Sequence, residues 1–194
     1  TTLGAAKGLV MQARIKDINP DCVVHVIEEF IDEHNVATLL PACDVVIDAI
    51  DNITAKCHLI AACKERALPL VSSTGAAGRC DPTALRIGDL AETRIDPLAQ
   101  EVRKILRTKY GFPQEGSFGV HSVYSVERPR DPIELHYDDG LGFSCVCPGG
   151  KNEHHSCEER RLIYGTASYV TGSFGLFCAS VVVSRCRLLP AWLF

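Results

Sequence analysis

Two carboxylates, Asp48 and Asp51, close the run Asp44-Val45-Val46-Ile47-Asp48-Ala49-Ile50-Asp51. An almost unbroken apolar run of that length predicts a strand covered on both faces of a parallel sheet. In such sheets ligands bind beyond the carboxyl ends of the strands. Carboxylates there suit Mg2+, a hard cation that takes oxygen ligands and bridges to substrate phosphates. A plainer role is open on spacing alone, since Asp51 or Asn52 would cap the helix that follows. Lys7, near the start of the first predicted helix, is either a solvated surface lysine or a point charge for phosphate, because helix N-termini favour anions. The segment Thr74-Gly75-Ala76-Ala77-Gly78 follows another strand end and is placed to line the same pocket. Neither a Walker-type loop nor G-x-G-x-x-G occurs in the sequence, so a nucleotide site cannot rest on a phosphate loop of this chain's own.

A second group of candidate ligands is Cys145, Cys147, His154, His155 and Cys157. These are zinc-ligand types, but C-x-C followed by His-His-x-Cys is no familiar finger. A redox-active thiol pair and an ordinary ordered loop stay open beside the metal site. The other seven cysteines (22, 43, 57, 63, 80, 178 and 186) are scattered through apolar or helical segments. There free cysteine behaves as a small hydrophobe. No secretory signal is recognisable, and a reducing cytosol is the expected setting.

The elements that must position these groups alternate. A helix is predicted over residues 3–18, with apolar Leu9, Val10, Ala13 and Ile18 and basic Lys7, Arg14 and Lys16. Asn19-Pro20-Asp21 stops it. A β-branched strand over 22–27, a short helix over 32–40, the strand at 44–50, a helix through about residue 67 and a strand over 69–73 follow. This succession predicts an α/β protein with a mostly parallel central sheet and flanking helices. A strand over 83–89 comes next. Asp96-Pro97 then opens an amphipathic helix with Leu98, Val102, Ile105 and Leu106 inside and Arg103, Lys104, Arg107 and Lys109 outside. A strand over 120–126 precedes a divergent, Pro/Gly/Asp-rich insert at 128–160. Residues 162–184 carry no charge and are bracketed by Arg161 and Arg185. The length allows a membrane span. The paired stripes within it, small at Gly165, Ser168, Gly172, Gly175 and Ala179 and bulky at Val170, Phe174, Phe177 and Val181, favour a buried core helix over membrane association.

The whole chain has 194 residues, a net charge of −4, 46% hydrophobic and 23% charged residues. That is enough chain for one packed domain over 1–194, and it excludes disordered, collagenous and coiled-coil classes. The net negative charge excludes general nucleic-acid affinity, so such binding must use a local patch.

The segments LGAAKGLV (3–10), DVVIDAIDNITAKC (44–57), GAAGRCDPT (75–83), DLAETRIDPLA (89–99) and YGTASYVTGSFG (164–175) resemble the E1-like adenylating superfamily of ThiF, MoeB and HesA proteins. Within it they resemble most the branch of tRNA threonylcarbamoyladenosine dehydratases. The resemblance implies a Rossmann-like E1 fold, ATP and Mg2+, and a homodimer acting on tRNA. The implied reaction is dehydration, with ring closure, of N6-threonylcarbamoyladenosine through adenylation of its carboxylate. Lys7 matches the lysine of the G-x-x-K segment that contacts ATP phosphates. Asp51 matches the second aspartate of D-x-x-D-N, which serves Mg2+ and the adenylate and so carries the catalytic role, and Asn52 stands beside it. The basic helix face, Arg103, Lys104 and Arg107, is the candidate contact for tRNA phosphates.

The departures carry expectations too. The superfamily's first βαβ unit, with its Gly-rich ATP loop and the arginine after it, has no counterpart here. The chain is therefore expected to be an N-terminally truncated member, inactive by itself. The two-pair zinc ribbon is absent, and Ser122 stands where some members have cysteine. Alternatives are adenylation of a sulfur-carrier protein's C-terminus, with a sulfur-transfer partner, and a non-catalytic binding module.

Overall fold

The computed structural model describes residues 2, 4–132 and 164–185. The chain falls into two compact units, one reaching Phe30 and the other starting at Ile31 and including the described residues from Tyr164 onward.

In the first unit α1 (Lys7–Ile18) ends where the Asn19 N–H reaches the Ile15 carbonyl at 2.8 Å, just ahead of Pro20. A Cβ on Gly8 would stand 2.6 Å from Val26 Cγ1, so only glycine lets the helix approach residues 24–26 this closely. Gln12 Nε2 donates to the Val24 carbonyl at 3.0 Å beside it. One expectation is corrected here. Residues 22–27 form no strand: β-branched residues favour an extended backbone but do not supply the neighbour whose ladder bonds define a strand. None of the residues of α1 is buried, and Leu9, Met11 and Ile18 are exposed.

The second unit is built on a four-stranded sheet of β1 (Val46–Asp48), β2 (Leu70–Ser73), β3 (Leu85–Asp89) and β4 (His121–Ser125), in the order β1-β2-β4-β3. β1, β2 and β4 run parallel, pairing Ile47 with Val71 and Ser72 with Ser122. β3 runs antiparallel to β4, pairing Ile87 with Val123. This is the expected α/β architecture with a mostly parallel sheet, closed by one reversed edge strand.

Both faces of this sheet are covered. Leu70 joins a core with α3 (Ile53–Glu65), α4 (Pro97–Lys109), Phe112 and Phe118. Its neighbour Val71 joins a second core with Leu85, Val123 and one side of α5 (Ser168–Arg185). Successive residues of a strand point to opposite faces, so the two cores lie on opposite sides of the sheet. The short α2 (Val36–Leu39) also packs into the first core, and it is shorter than the helix expected over 32–40. Asp32 caps that region, accepting from the His34 and Asn35 N–H groups and starting the helical turns late.

α3 starts where the Asn52 side chain accepts from the Ala55 N–H at 3.0 Å. It ends with Ala67 in the left-handed region (φ 52°) and the Leu68 N–H on the Cys63 carbonyl at 2.9 Å, a closure more often made by glycine. α4 starts at Pro97, with Asp96 accepting from the Ala99 N–H at 3.0 Å. In α5 the bulky residues Val170, Phe174, Cys178 and Val181 are the buried ones. The glycines of the small stripe are not where α5 packs on the described residues: a Cβ on Gly165, Gly172 or Gly175 would meet none of them within 4 Å. Among the described residues no helix is long and apolar enough to cross a membrane.

Candidate active site at the carboxyl ends of β1 and β2

Asp48, the last residue of β1, is fully buried. A buried carboxylate must be paired to stay charged, and its partners are all present. Lys56 Nζ stands 2.7 Å from Asp48 Oδ2, the Ser72 hydroxyl donates to the same oxygen at 2.7 Å, and the Ile50 N–H donates to Oδ1 at 3.0 Å. Lys56 is as buried as its partner and also donates to the Ile50 carbonyl at 3.0 Å and the Ser73 carbonyl at 2.8 Å. Asp48 therefore belongs to the scaffold, and the expectation that it shares in holding a metal is corrected, because its oxygens are taken by Lys56, Ser72 and the Ile50 N–H.

Asp51 is exposed, and no hydrogen bond or ion pair engages its carboxylate among the described residues. The capping role falls to its neighbour. Asn52 provides the cap for α3, which leaves the Asp51 oxygens available.

Asp51 lies on the rim of a cavity of about 760 Å³. Ile47, Ala49 and Ile50 form one wall, and Ser73 through Ala77 form a second. Leu98, Tyr164, Thr171, Phe174, Gly175 and Cys178 complete it. Among the described residues that line it, Asp51 is the one that carries a charge. Burial raises the Cys178 thiol above its ordinary range, which keeps it protonated and inert.

The 74–78 loop is held by a second buried ion pair. Asp96 Oδ2 accepts from the Gly75 N–H at 2.9 Å and stands 3.3 Å from Arg79 Nη2. Arg79 Nη1 donates to the Gly75 carbonyl, and its Nε reaches the Glu127 carbonyl at 3.3 Å. The Glu127 carboxylate accepts from the Cys80 and Asp81 N–H groups at 2.8–3.1 Å. Gly78 sits at φ +72° with the Arg130 carbonyl oxygen 2.9 Å from where a Cβ would be, so the turn requires glycine.

Sequence reading did not find Lys56, Arg79, Asp96 or Glu127 as site-shaping groups. Lys56 left one signal: it shares the phase of Leu59, Ile60 and Cys63 on a helix face that is otherwise apolar. A lysine there, one turn after an aspartate-ended strand, requires a buried acid.

Lys7 is exposed at the first position of α1, whose N-terminus has no side-chain cap. It belongs to the first unit and Asp51 to the second. On α4, Arg103 turns toward the Thr93 hydroxyl, and desolvation by burial, with Arg107 adding to it, lowers its pKa. Arg107 lies over the Phe118 ring at 5.1 Å and donates to the Pro113 carbonyl at 3.3 Å. Lys104 points outward, 3.6 Å from Glu101. Among the described residues no three His, Cys, Asp or Glu side chains gather as a metal cluster. Cys145, Cys147, His154 and Cys157 lie outside the described residues. Burial raises the Cys57 and Cys63 thiols to about 11, in keeping with their reading as packing residues.

Residues 1–185 match the ThiF family. The chain is 35% identical to the tRNA threonylcarbamoyladenosine dehydratase of Haemophilus influenzae, over 95% of this chain and 66% of that protein. It is 36% identical to the enzyme of the same name from Escherichia coli, over 94% of this chain and 67% of that protein. A crystal structure of the E. coli dehydratase in complex with ATP superimposes with a TM-score of 0.74 at 34% identity, covering 94% of this chain and 64% of that one. The chain thus spans about two thirds of the length of these relatives. With a mostly parallel sheet bearing an exposed aspartate and a glycine-containing loop at its strand ends, matched along nearly its whole length, the chain belongs to the ThiF family.

Proposed function

We propose that this chain is the larger part of an ATP-dependent tRNA threonylcarbamoyladenosine dehydratase, which adenylates the carboxylate of the modified nucleoside and lets it cyclise with loss of water. The observation that carries the reading is the unengaged Asp51 carboxylate on the rim of the strand-end cavity, in a chain so similar to enzymes of that name.

The residues present fit ATP and Mg2+. A single hard carboxylate suits an ion that keeps waters and takes its remaining ligands from phosphates. ATP, when bound, supplies the AMP leaving group that makes a poor carboxylate electrophilic. Asp51 would hold the ion; Lys7, at an uncapped helix start in the other unit, would be a separate candidate charge for phosphate oxygens. Asn52 keeps the turn that presents Asp51. Among the described residues the cavity lining is mostly apolar, which suits the acyl arm and the base that bears it. The Leu98, Tyr164 and Phe174 side chains then exclude water from the activated carboxyl, where hydrolysis would compete with ring closure.

The outward face of α4, Lys104 above all, is the tRNA-phosphate contact in this reading. Homodimerisation belongs to it as well. A cytoplasmic setting is supported by the free buried thiols of Cys57, Cys63 and Cys178.

The test incubates the full-length protein with ATP, Mg2+ and tRNA bearing threonylcarbamoyladenosine and measures the nucleoside by mass spectrometry. The expected product is one water lighter, and Asp51→Ala reduces its formation at least about a hundredfold. Undiminished turnover by the variant removes Asp51 from the mechanism. No water loss, with AMP transferred instead to a sulfur-carrier C-terminus, would assign the chain to the sulfur-carrier adenylating enzymes.

A further inference from the structure

The Asp48–Lys56 pair has no part in the chemistry above, and neither side chain lines the cavity. A buried ion pair is not required for stability, since well-packed apolar residues of similar volume often serve as well or better. What the lysine supplies and an apolar residue cannot is direction. An ammonium has three N–H donors, and here each has an acceptor: Asp48 Oδ2 at 2.7 Å, the Ile50 carbonyl at 3.0 Å and the Ser73 carbonyl at 2.8 Å. The two carbonyls come from the ends of neighbouring strands. Ile50 immediately precedes Asp51, and Ser73 immediately precedes the 74–77 wall.

We propose that Lys56 is a positioning residue: its buried ammonium clamps the Asp51 segment to the 74–77 segment and fixes the distance across the cavity between the aspartate and the opposite wall. Its kinetic consequence rests on the dehydratase reading. The clamp itself does not, because the contacts are present whatever the substrate. Asp48 then has a supporting role, holding the ammonium in register between the carbonyls while the Ser72 hydroxyl and Ile50 N–H also donate to its oxygens.

Replacing Lys56 alone would strand a buried carboxylate, so the informative protein is the double variant Asp48→Asn/Lys56→Met in the full-length chain. In D48N the side-chain amide still accepts from the Ile50 N–H and reaches the Ser72 hydroxyl. In K56M the side-chain volume is kept and no charge is left unpaired. Three quantities are measured: the thermal midpoint, kcat and KM for nucleoside dehydration, and hydrogen exchange at residues 49–52 and 74–77. The expected result is a midpoint close to the parent's and kcat lowered roughly tenfold to a hundredfold with KM for ATP little changed. Exchange quickens in those two segments and not in α3. A folded double variant with parental kcat and parental exchange would overturn the proposal. So would a double variant that cannot fold, since the pair would then be a requirement of stability. If the parent itself releases no water from the nucleoside, the dehydratase reading fails on its own. Exchange in the two segments still decides the clamp, faster exchange supporting it and unchanged exchange sinking it.

Discussion

A carboxylate's role here is set by what surrounds its oxygens, and three aspartates near strand ends show three outcomes. Asp48 is spent on Lys56 and Ser72, and Asp51 is left free at the cavity rim. Asp89 ties a loop: its oxygens accept from the Ala91, Phe118 and Gly119 N–H groups at 2.8–2.9 Å and from the Ser117 hydroxyl. Burial raises the Asp89 pKa, but these hydrogen bonds outweigh it and the net shift is downward. A carboxylate whose folded pKa lies below its unfolded value of about 3.9 contributes stability at higher pH and loses it as pH falls through the folded pKa. The thermal midpoint of the parent is therefore expected to fall below about pH 4. Asp89→Asn starts lower at neutral pH and falls less on acidification, and parallel midpoint-against-pH curves for the two would refute the assignment. Position along the sequence placed Asp48 and Asp51 at a strand end but separated neither role. Whether an aspartate is free or consumed depends on Lys56 and Ser72, distant donors that no local pattern pairs with it.

At the scale of elements, legibility follows the range of the interactions involved. α3 and α4 begin as expected because their caps, Asn52 and Asp96, act three residues away. β2 and β4 also fall as expected, since short apolar runs between turn signals suffice for them. Residues 22–27 had the right residue types, yet strand formation is a property of pairs. The order β1-β2-β4-β3 and the reversal of β3 likewise depend on pairing across the turn and helix between residues 89 and 121. The basic face of α4 was legible as periodicity but not as use. Arg103 and Arg107 spend donors on Thr93, Pro113 and the Phe118 ring, while Lys104 keeps only a surface pair with Glu101, an interaction worth at most about 1 kcal/mol. Lys104→Ala is therefore expected to weaken tRNA binding and reduce the slope of log K against log salt by about 1, with no loss of thermal stability. Arg107→Ala is expected to lower the midpoint first. Salt titrations of tRNA binding separate the two, and an unchanged slope for Lys104→Ala would take α4 out of the interface.

For the molecule as a whole, the resemblance of the sequence segments to adenylating enzymes and the match of the coordinates to a dehydratase with ATP converge on one family. What neither the segments nor their periodicity gave is the setting of the small stripe of α5, expected to pack, whose glycines have no described neighbour within 4 Å of a Cβ. That setting puts fold and function against each other. A helix-interior glycine is about 1 kcal/mol less favourable than alanine, so both Gly172→Ala and Gly175→Ala should raise the melting temperature. Only Gly175 lines the cavity. Gly172→Ala is then expected to be a stabiliser without cost, whereas Gly175→Ala, and Gly175→Leu more severely, gains or keeps helix stability while raising KM for the nucleoside. Equal turnover by the two alanine variants and the parent would mean that the cavity holds nothing during the reaction. The pair of glycines therefore separates a cost to the helix, common to both positions, from a cost to the cavity, confined to Gly175.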